Sequence, residues 1–271
     1  MDLGLHGKAV IITGGSRGIG LETGRRFADE GARVLLCARR DDALAEAAAD
    51  IKGTTGVTVE TVAADVTRPP ELDKAVTTAL ELFGSIDVLV NNAGTGTYKP
   101  FLEVTEEELE YGMSINFFAQ FRMCQRVVPH MIRQGGGSIV NVSGETGIRV
   151  TPAPFLSSCT GPAKAAEIRF SKILASELGP HGIRVNCVVP GLVYTPERFA
   201  KWEREMVGHE LTGTEADEIR AQWARHMGTA RPGQQWATPQ EVSALIAFAA
   251  SGAVPSVTGA ALVIDSGEDK S

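Results

Sequence analysis

Only three tyrosines, three tryptophans and four cysteines occur in the 271 residues of this chain. No apolar run approaches the roughly 20 residues that a helix needs to cross a bilayer, so no membrane partner is expected. The cysteines (Cys37, Cys124, Cys159 and Cys187) lie far apart and form no CxxC pair. That excludes a dense disulfide framework and the common cysteine spacings of zinc sites. The five histidines show no metal-ligand spacing either, and no metal is expected. A basic excess is also missing: the formal net charge is −7, whereas a nucleic-acid partner usually demands a basic face. The opening MDLGLHGKAVIITGG has no charged segment followed by an apolar core and cleavage site, so no export signal is read there. A cytoplasmic protein acting on a small molecule is the expectation.

What is present is alternation. Short apolar runs at Lys8–Thr13, Arg33–Cys37, Val57–Ala63, Ile86–Asn91, Ser138–Val142, Ile183–Val189 and Ala261–Ile264 are separated by longer segments of helical period. Near-continuous Val, Ile and Leu in such runs means strands covered on both faces. The pattern predicts an α/β protein: a doubly wound, Rossmann-type parallel sheet with helices on both faces. Two capping boxes mark helix starts, Thr105 with Glu108 and Thr238 with Glu241, the second with Pro at the first helical position. No linker, repeat or low-complexity tract interrupts residues 1–271, which are read as one dinucleotide-binding catalytic domain. A polar, helix-prone stretch at about 197–235, carrying Trp202, Met206, Trp223 and Met227, follows a strand end and is expected to form a helical lid over a substrate pocket.

The most informative motif is Thr13-Gly14-Gly15-Ser16-Arg17-Gly18-Ile19-Gly20, which follows the strand AVII and opens a helix. In that context glycines permit a tight turn, close backbone approach to a pyrophosphate, and close helix–sheet packing. The helix N-terminus then offers unpaired amides to the anion. The second strand ends in Ala38-Arg39-Arg40 with no carboxylate before Asp41. An NAD-preferring site places an acid there to hold the ribose hydroxyls; arginines suit a 2′-phosphate instead. NADP(H) is therefore the expected cofactor, with Arg17, Arg39 and Arg40 near the phosphate and Asp65 beside the adenine.

Together with AADVT at 63–67, Asn91-Asn92-Ala93-Gly94, Asn116 in INFF, SIVNVSG ending near Ser143, RVNCVVPG at 184–191, Thr195 and VTGAALVIDSG, this motif resembles the short-chain dehydrogenase/reductase family in its compact form. The resemblance runs over nearly the whole chain. It implies a seven-stranded parallel sheet, a homo-oligomer (tetramer or dimer) built partly from the helices of Asn116 and Lys164, and an oxidoreductase. Cofactor contacts are implied for Gly14, Ser16, Arg17, Gly18, Ile19 and Gly20, and for Arg39, Arg40, Asp65 and Val66. Further contacts are implied for Asn92, Ala93, Gly94 and Lys164, and for Pro190, Gly191, Val193 and Thr195.

The family's catalytic group is Asn–Ser–Tyr–Lys, and Asn116, Ser143 and Lys164 match it by position. The fourth position departs: Thr160 stands four residues before Lys164, where the family has tyrosine. A phenol starts near pKa 10 and can be tuned by an adjacent ammonium; an aliphatic hydroxyl cannot donate comparably. Tyr98, Tyr194 and Glu145 are the candidates for lining the pocket and for replacing the phenol, while Tyr111 is expected to pack or face solvent. Gly161-Pro162 predicts that the helix bearing Lys164 begins near Pro162. Two activities fit. One is reduction or oxidation of a carbonyl/alcohol pair or a conjugated enone with a non-standard proton donor. The other is a dehydratase-like or cofactor-binding role without redox turnover.

Overall fold

A computed structural model of the chain describes residues 2–150, 156–203, 207, 211–227 and 236–267. Seven strands, β1 (Ala9–Thr13), β2 (Arg33–Ala38), β3 (Glu60–Ala63), β4 (Val88–Asn91), β5 (Gly137–Val142), β6 (Ile183–Pro190) and β7 (Ala261–Ile264), form one parallel sheet in the order β3-β2-β1-β4-β5-β6-β7. The described helices are α1 (Gly18–Asp29), α2 (Asp41–Thr55), α3 (Pro69–Phe83), α4 (Glu106–Met113), α5 (Ala119–Gln134), α6 (Thr160–Leu178), α7 (Pro196–Trp202), α8 (Gly213–Met227) and α9 (Pro239–Ala250). The expected doubly wound architecture is thus observed. β3 starts three residues later than the apolar run suggested, because this edge strand pairs only with β2, from Leu35 opposite Glu60 onward.

Strand side chains alternate between faces, and the two core layers follow. Val10 and Ile12 of β1 pack with Leu36, Val90, Phe27 and Ile246 on the side of α1 and α9. Ile11 points the other way, with Leu35, Leu89, Leu72 and Met123, toward α3 and α5. Strand order reverses between β1 and β4, which opens a crevice at their carboxyl ends where α/β sheets take ligands.

Polar side chains interrupt the second layer. Asn91 Nδ2 donates to Asn141 Oδ1 at 2.9 Å, and Asn141 Nδ2 donates to Ser171 Oγ at 2.8 Å. All three residues are buried, and each hydrogen bond removes a desolvation cost of about 1–3 kcal/mol. Both capping boxes form, at Thr105/Glu108 and Thr238/Glu241. The α6 helix begins at Thr160, two residues before the expected Pro162. Pro162 still lies in the first turn, where its missing N–H has no intrahelical role. Gly161 is explained by packing: a Cβ there would stand 3.0 Å from the Thr146 carbonyl oxygen.

Candidate active site

The glycine turn leaves β1 and enters α1 along the wall of the crevice, with the Gly15 amide tied to the Cys37 carbonyl at 3.1 Å. Gly14 and Gly18 adopt left-handed φ values of +68° and +55°, which glycine alone tolerates readily. The start of α1 has no side-chain cap, so its amide donors remain available to an anion. The turn is clamped to the end of β4: Asn92 Nδ2 donates to the carbonyls of Thr13 (3.0 Å) and Gly14 (3.3 Å), and the amides of Asn92 and Ala93 both donate to Thr13 Oγ1. A Cβ at Gly20 would fall 2.1 Å from the Gly14 carbonyl oxygen. Gly20→Ala is therefore expected to cost about 1–3 kcal/mol of stability through overpacking and to weaken coenzyme binding. Urea denaturation and a binding titration check this; wild-type values in both would contradict it.

A cleft of about 760 Å³ runs from this turn across the sheet edge. Ser16, Arg17, Ile19, Arg39, Arg40, Asp65 and Val66 line one end, with Ala93, Gly94, Pro190, Gly191, Val193 and Thr195 further along. Arg17, Arg39 and Arg40 are exposed. Arg40 pairs with Asp42 at 3.2 Å, and Arg39 Nη1 lies 3.5 Å from the Tyr111 hydroxyl. Tyr111 thus lines the cleft, which its helical position alone did not indicate. Asp65 is held by Thr67, whose amide and hydroxyl donate to Oδ1 at 2.9 and 2.7 Å. Val193 is fully buried and forms an isolated parallel bridge with Ala237. The methyl of Thr195 lies 3.5 Å from where a Gly18 Cβ would be, so it sits over the glycine turn.

Ser143, Thr160 and Lys164 line the polar centre of the cleft, and Asn116 is buried behind Gly94, where a Cβ would stand 2.7 Å from its Oδ1. Asn116 lies in a wide π-type turn, Ser114–Phe118, between α4 and α5, a local distortion often found at functional sites. Its amide donates to the carbonyls of Thr95 (2.8 Å) and Gly112 (2.9 Å), while its oxygen accepts from the Thr95 amide. Ser143 Oγ donates to the Lys164 carbonyl at 2.8 Å, so its proton is directed into the protein and only its lone pairs remain for a ligand. The neighbouring Gly144 lines the cleft with extended φ, and a Cβ there would meet nothing within 4 Å. Thr160 is buried, and its Oγ1 accepts the Thr97 amide at 3.1 Å. Lys164 Nζ donates to the Val142 carbonyl at 3.1 Å and stands 3.2 Å from both oxygens of Glu167. Glu167 is fully buried, and that burial raises its carboxyl to about 7 against the pull of Lys164.

The candidates for replacing the phenol separate. Tyr98 lines the cleft, with its ring folded over Gly96. Glu145 also lines it, buried and ion-paired with Arg149 at 2.5 Å. Tyr194 is half exposed, its ring 6.3 Å from that of Trp236, and it does not contribute to the cleft wall among the described residues. Sequence reasoning missed Glu167, Gln120 and Lys201. Lys201, on α7, donates to Thr95 Oγ1 at 2.7 Å and to the Gly96 carbonyl at 2.5 Å, tying that helix to the loop after β4. Of the expected lid, residues 204–206, 208–210 and 228–235 lie outside the described residues. Leu211 and Ala216 pack with Leu192, Tyr98 and Trp236 beside the cleft. Cys37, Cys124 and Cys187 are buried, and burial pushes each thiol up to about 12. No helix among the described residues is long and apolar enough to cross a membrane, and no metal-binding cluster occurs among them.

Sheet order, glycine cradle and cleft define a doubly wound α/β protein of the dinucleotide-binding type. Residues 8–205 match the short chain dehydrogenase family, and the chain belongs to that family of oxidoreductases. Similar curated proteins include the 3-oxoacyl-(acyl-carrier-protein) reductase FabG of Chlamydia muridarum, 33% identical over 263 residues, 97% of this chain and 98% of that protein. Oxidoreductase UcpA of Salmonella typhimurium is 35% identical, covering 97% of this chain and 95% of its own length. Among solved structures, L-sorbose reductase from Gluconobacter frateurii, complexed with NADPH and L-sorbose, superposes with a TM-score of 0.89 at 34% identity over the full length of both chains.

Proposed function

We propose that this chain is an NADP(H)-dependent oxidoreductase acting on a carbonyl/alcohol pair or a conjugated enone, with something other than a phenol at position 160 supplying the proton. The observation that carries the cofactor assignment is the cradle itself. An uncapped helix start and its glycine turn line a cleft flanked by Arg17, Arg39 and Arg40, with no carboxylate at the end of β2 before Asp41. The NADPH held by the similar sorbose reductase supports the same choice. When bound, the coenzyme supplies or accepts a hydride. The chain's own contribution is to bind and orient. Gly14, Ser16, Gly18 and Ile19 hold the diphosphate, Arg39 and Arg17 the 2′-phosphate, Asp65 and Val66 the adenine side, and Asn92, Lys164, Pro190, Val193 and Thr195 the nicotinamide half. Thr160, with Tyr98 and Glu145, faces the substrate.

The test is a titration followed by turnover. Arg39→Glu is expected to weaken NADPH binding about 10–100-fold, the loss of charge-assisted hydrogen bonds to phosphate, and to leave NADH binding unchanged or better. Equal losses for both coenzymes would refute the assignment. NADPH consumption with any of a panel of ketones, enones and quinones supports the oxidoreductase. Tight binding with silence across the panel favours the non-redox reading, which the engaged Thr160 hydroxyl also fits.

The described helices of the expected lid, α7 and α8, close the substrate end of the cleft, with α7 latched through Lys201. One folded domain spans the chain. Phe118, Phe121 and Ile173 present exposed apolar surface on the helices of Asn116 and Lys164, next to the edge-to-face rings of Phe117 and Phe170, and this surface forms a homo-oligomer contact. Four free cysteines fit a reducing cytoplasm.

A further inference from the structure

We propose that Glu167 is a positioning residue for the coenzyme cleft: a carboxylate buried behind Lys164 that aims the ammonium at the cleft and slackens its hold on taking a proton. The inference rests on the reading of the cleft as an NADP(H) site and adds a control on it. An ammonium has three N–H donors. The Val142 carbonyl takes one. The two Glu167 oxygens stand at equal distances of 3.2 Å, longer than the roughly 2.7–2.9 Å of a direct charge-assisted bond. Such symmetry is that of one N–H aimed between two acceptors. The third N–H has room on the Gly94 side, where a Cβ would stand 3.2 Å from Nζ and where glycine leaves the ammonium facing the cleft.

The surroundings of Glu167 make its charge matter. From α5, Gln120 Nε2 donates to Oε1 at 2.7 Å. From the end of β5 comes the Val142 carbonyl that shares Lys164, and from the residue after it Ser143. From β6 comes Cys187, which stays a neutral thiol at ordinary pH. From α6 itself come Lys164 and Ser171, the latter bonded to the Glu167 carbonyl. Lys164 is thus the charged partner, and Glu167 is its ion pair among the described residues. With the carboxyl raised to about 7, the anion prevails above neutrality and holds Lys164 in place. Below neutrality the charge attraction goes, and the neutral carboxyl holds Nζ only as a weaker acceptor.

The experiment is a fluorescence titration of NADPH into the whole protein between about pH 5.5 and 8.5, for wild type and Glu167→Gln. The coenzyme's phosphate also titrates, near pH 6, so the wild-type profile is divided by that of the variant with the same ligand. Wild-type binding is expected to be about tenfold tighter than the variant's at the alkaline end, the worth of an oriented charged hydrogen bond, with the ratio approaching one at the acid end. Glu167→Asp keeps a carboxylate and is expected to restore part of the ratio and its pH dependence. A ratio that stays at one throughout, or stays constant away from one, overturns the proposal; the second result is what a merely structural role would produce. Absence of saturable NADPH binding in wild type would refute the cofactor reading beneath it. If Glu167→Gln does not fold, Gln120→Leu serves. It removes the amide that stabilises the anion, so the midpoint of the binding profile should move upward, and an unmoved midpoint overturns the proposal equally.

Discussion

Replacing Thr160 with tyrosine is expected to raise NADPH-dependent ketone reduction about 10²–10⁴-fold, the usual worth of a positioned general acid. Residue 160 begins α6 and lies four residues before Lys164, a spacing that stacks the two side chains on one helix face. A phenol at this position would reach into the cleft beside an ammonium, which favours the ionised phenol and brings its pKa down from about 10. The threonine hydroxyl has neither the acidity nor the reach, and one of its two lone pairs is already taken by the Thr97 amide. Ser143 does not make up the deficit, because its proton goes to the Lys164 carbonyl. Gly144→Ser, which would place a hydroxyl in open space, is expected to add to the gain in the double variant. Steady-state NADPH oxidation over a ketone panel checks both. Variants that bind NADPH yet stay silent would show that the cleft is not arranged for ketone reduction.

Lys164→Met should produce the largest loss of stability of any single change at the site, and the loss should depend on pH. Removing one partner of a buried ion pair strands the other, at about 3–5 kcal/mol, and Glu167 is fully buried. The sign follows from linkage. A carboxyl whose folded pKa is raised above its unfolded value contributes stability that is full below the unfolded value and is lost as pH rises through the folded one. In wild type that window runs upward from the ordinary carboxyl range to about 7. Without the ammonium, the folded value rises further. The Lys164→Met deficit should therefore be small near pH 5 and visible by about pH 8, because above the wild-type value of about 7 it grows by about 1.4 kcal/mol per pH unit until the stranded carboxyl ionises. Urea midpoints at the two pH values measure it. An equal deficit at both would show that Glu167 is not the group left behind.

The elements that were legible from the chain are those whose signal is local. Strand β1 and the turn after it are written in consecutive residues: an apolar run ends at Thr13 and glycines follow at the positions where φ turns positive. The Thr105 and Thr238 capping boxes are four-residue patterns and were readable for the same reason. The departure at Thr160 was visible because its spacing to Lys164 is fixed along one helix. Other features were not legible. Glu167 reads as a solvated helix carboxylate until α5 packs against α6 and covers it with Gln120. Tyr111 looks like a surface residue until its helix is laid beside Arg39, 72 positions away in sequence. Ser143 looks like a free hydroxyl until the turn at Glu145–Gly147 closes on α6 through Gly147 and Gly161 and directs it to the Lys164 carbonyl.

By itself, then, the amino-acid order determined the alternating layers, the anion cradle, the arginines beside it and the missing phenol, because each depends on neighbours within a turn or two of chain. Tertiary structure alone decided which polar groups are spent on the protein and which face the cleft. That choice rests on burial and on distances between segments far apart in sequence, and no local pattern encodes either. The Lys164–Glu167 pair shows the difference: the lysine was found by its motif, but its partner acquired a role only when folding removed it from water.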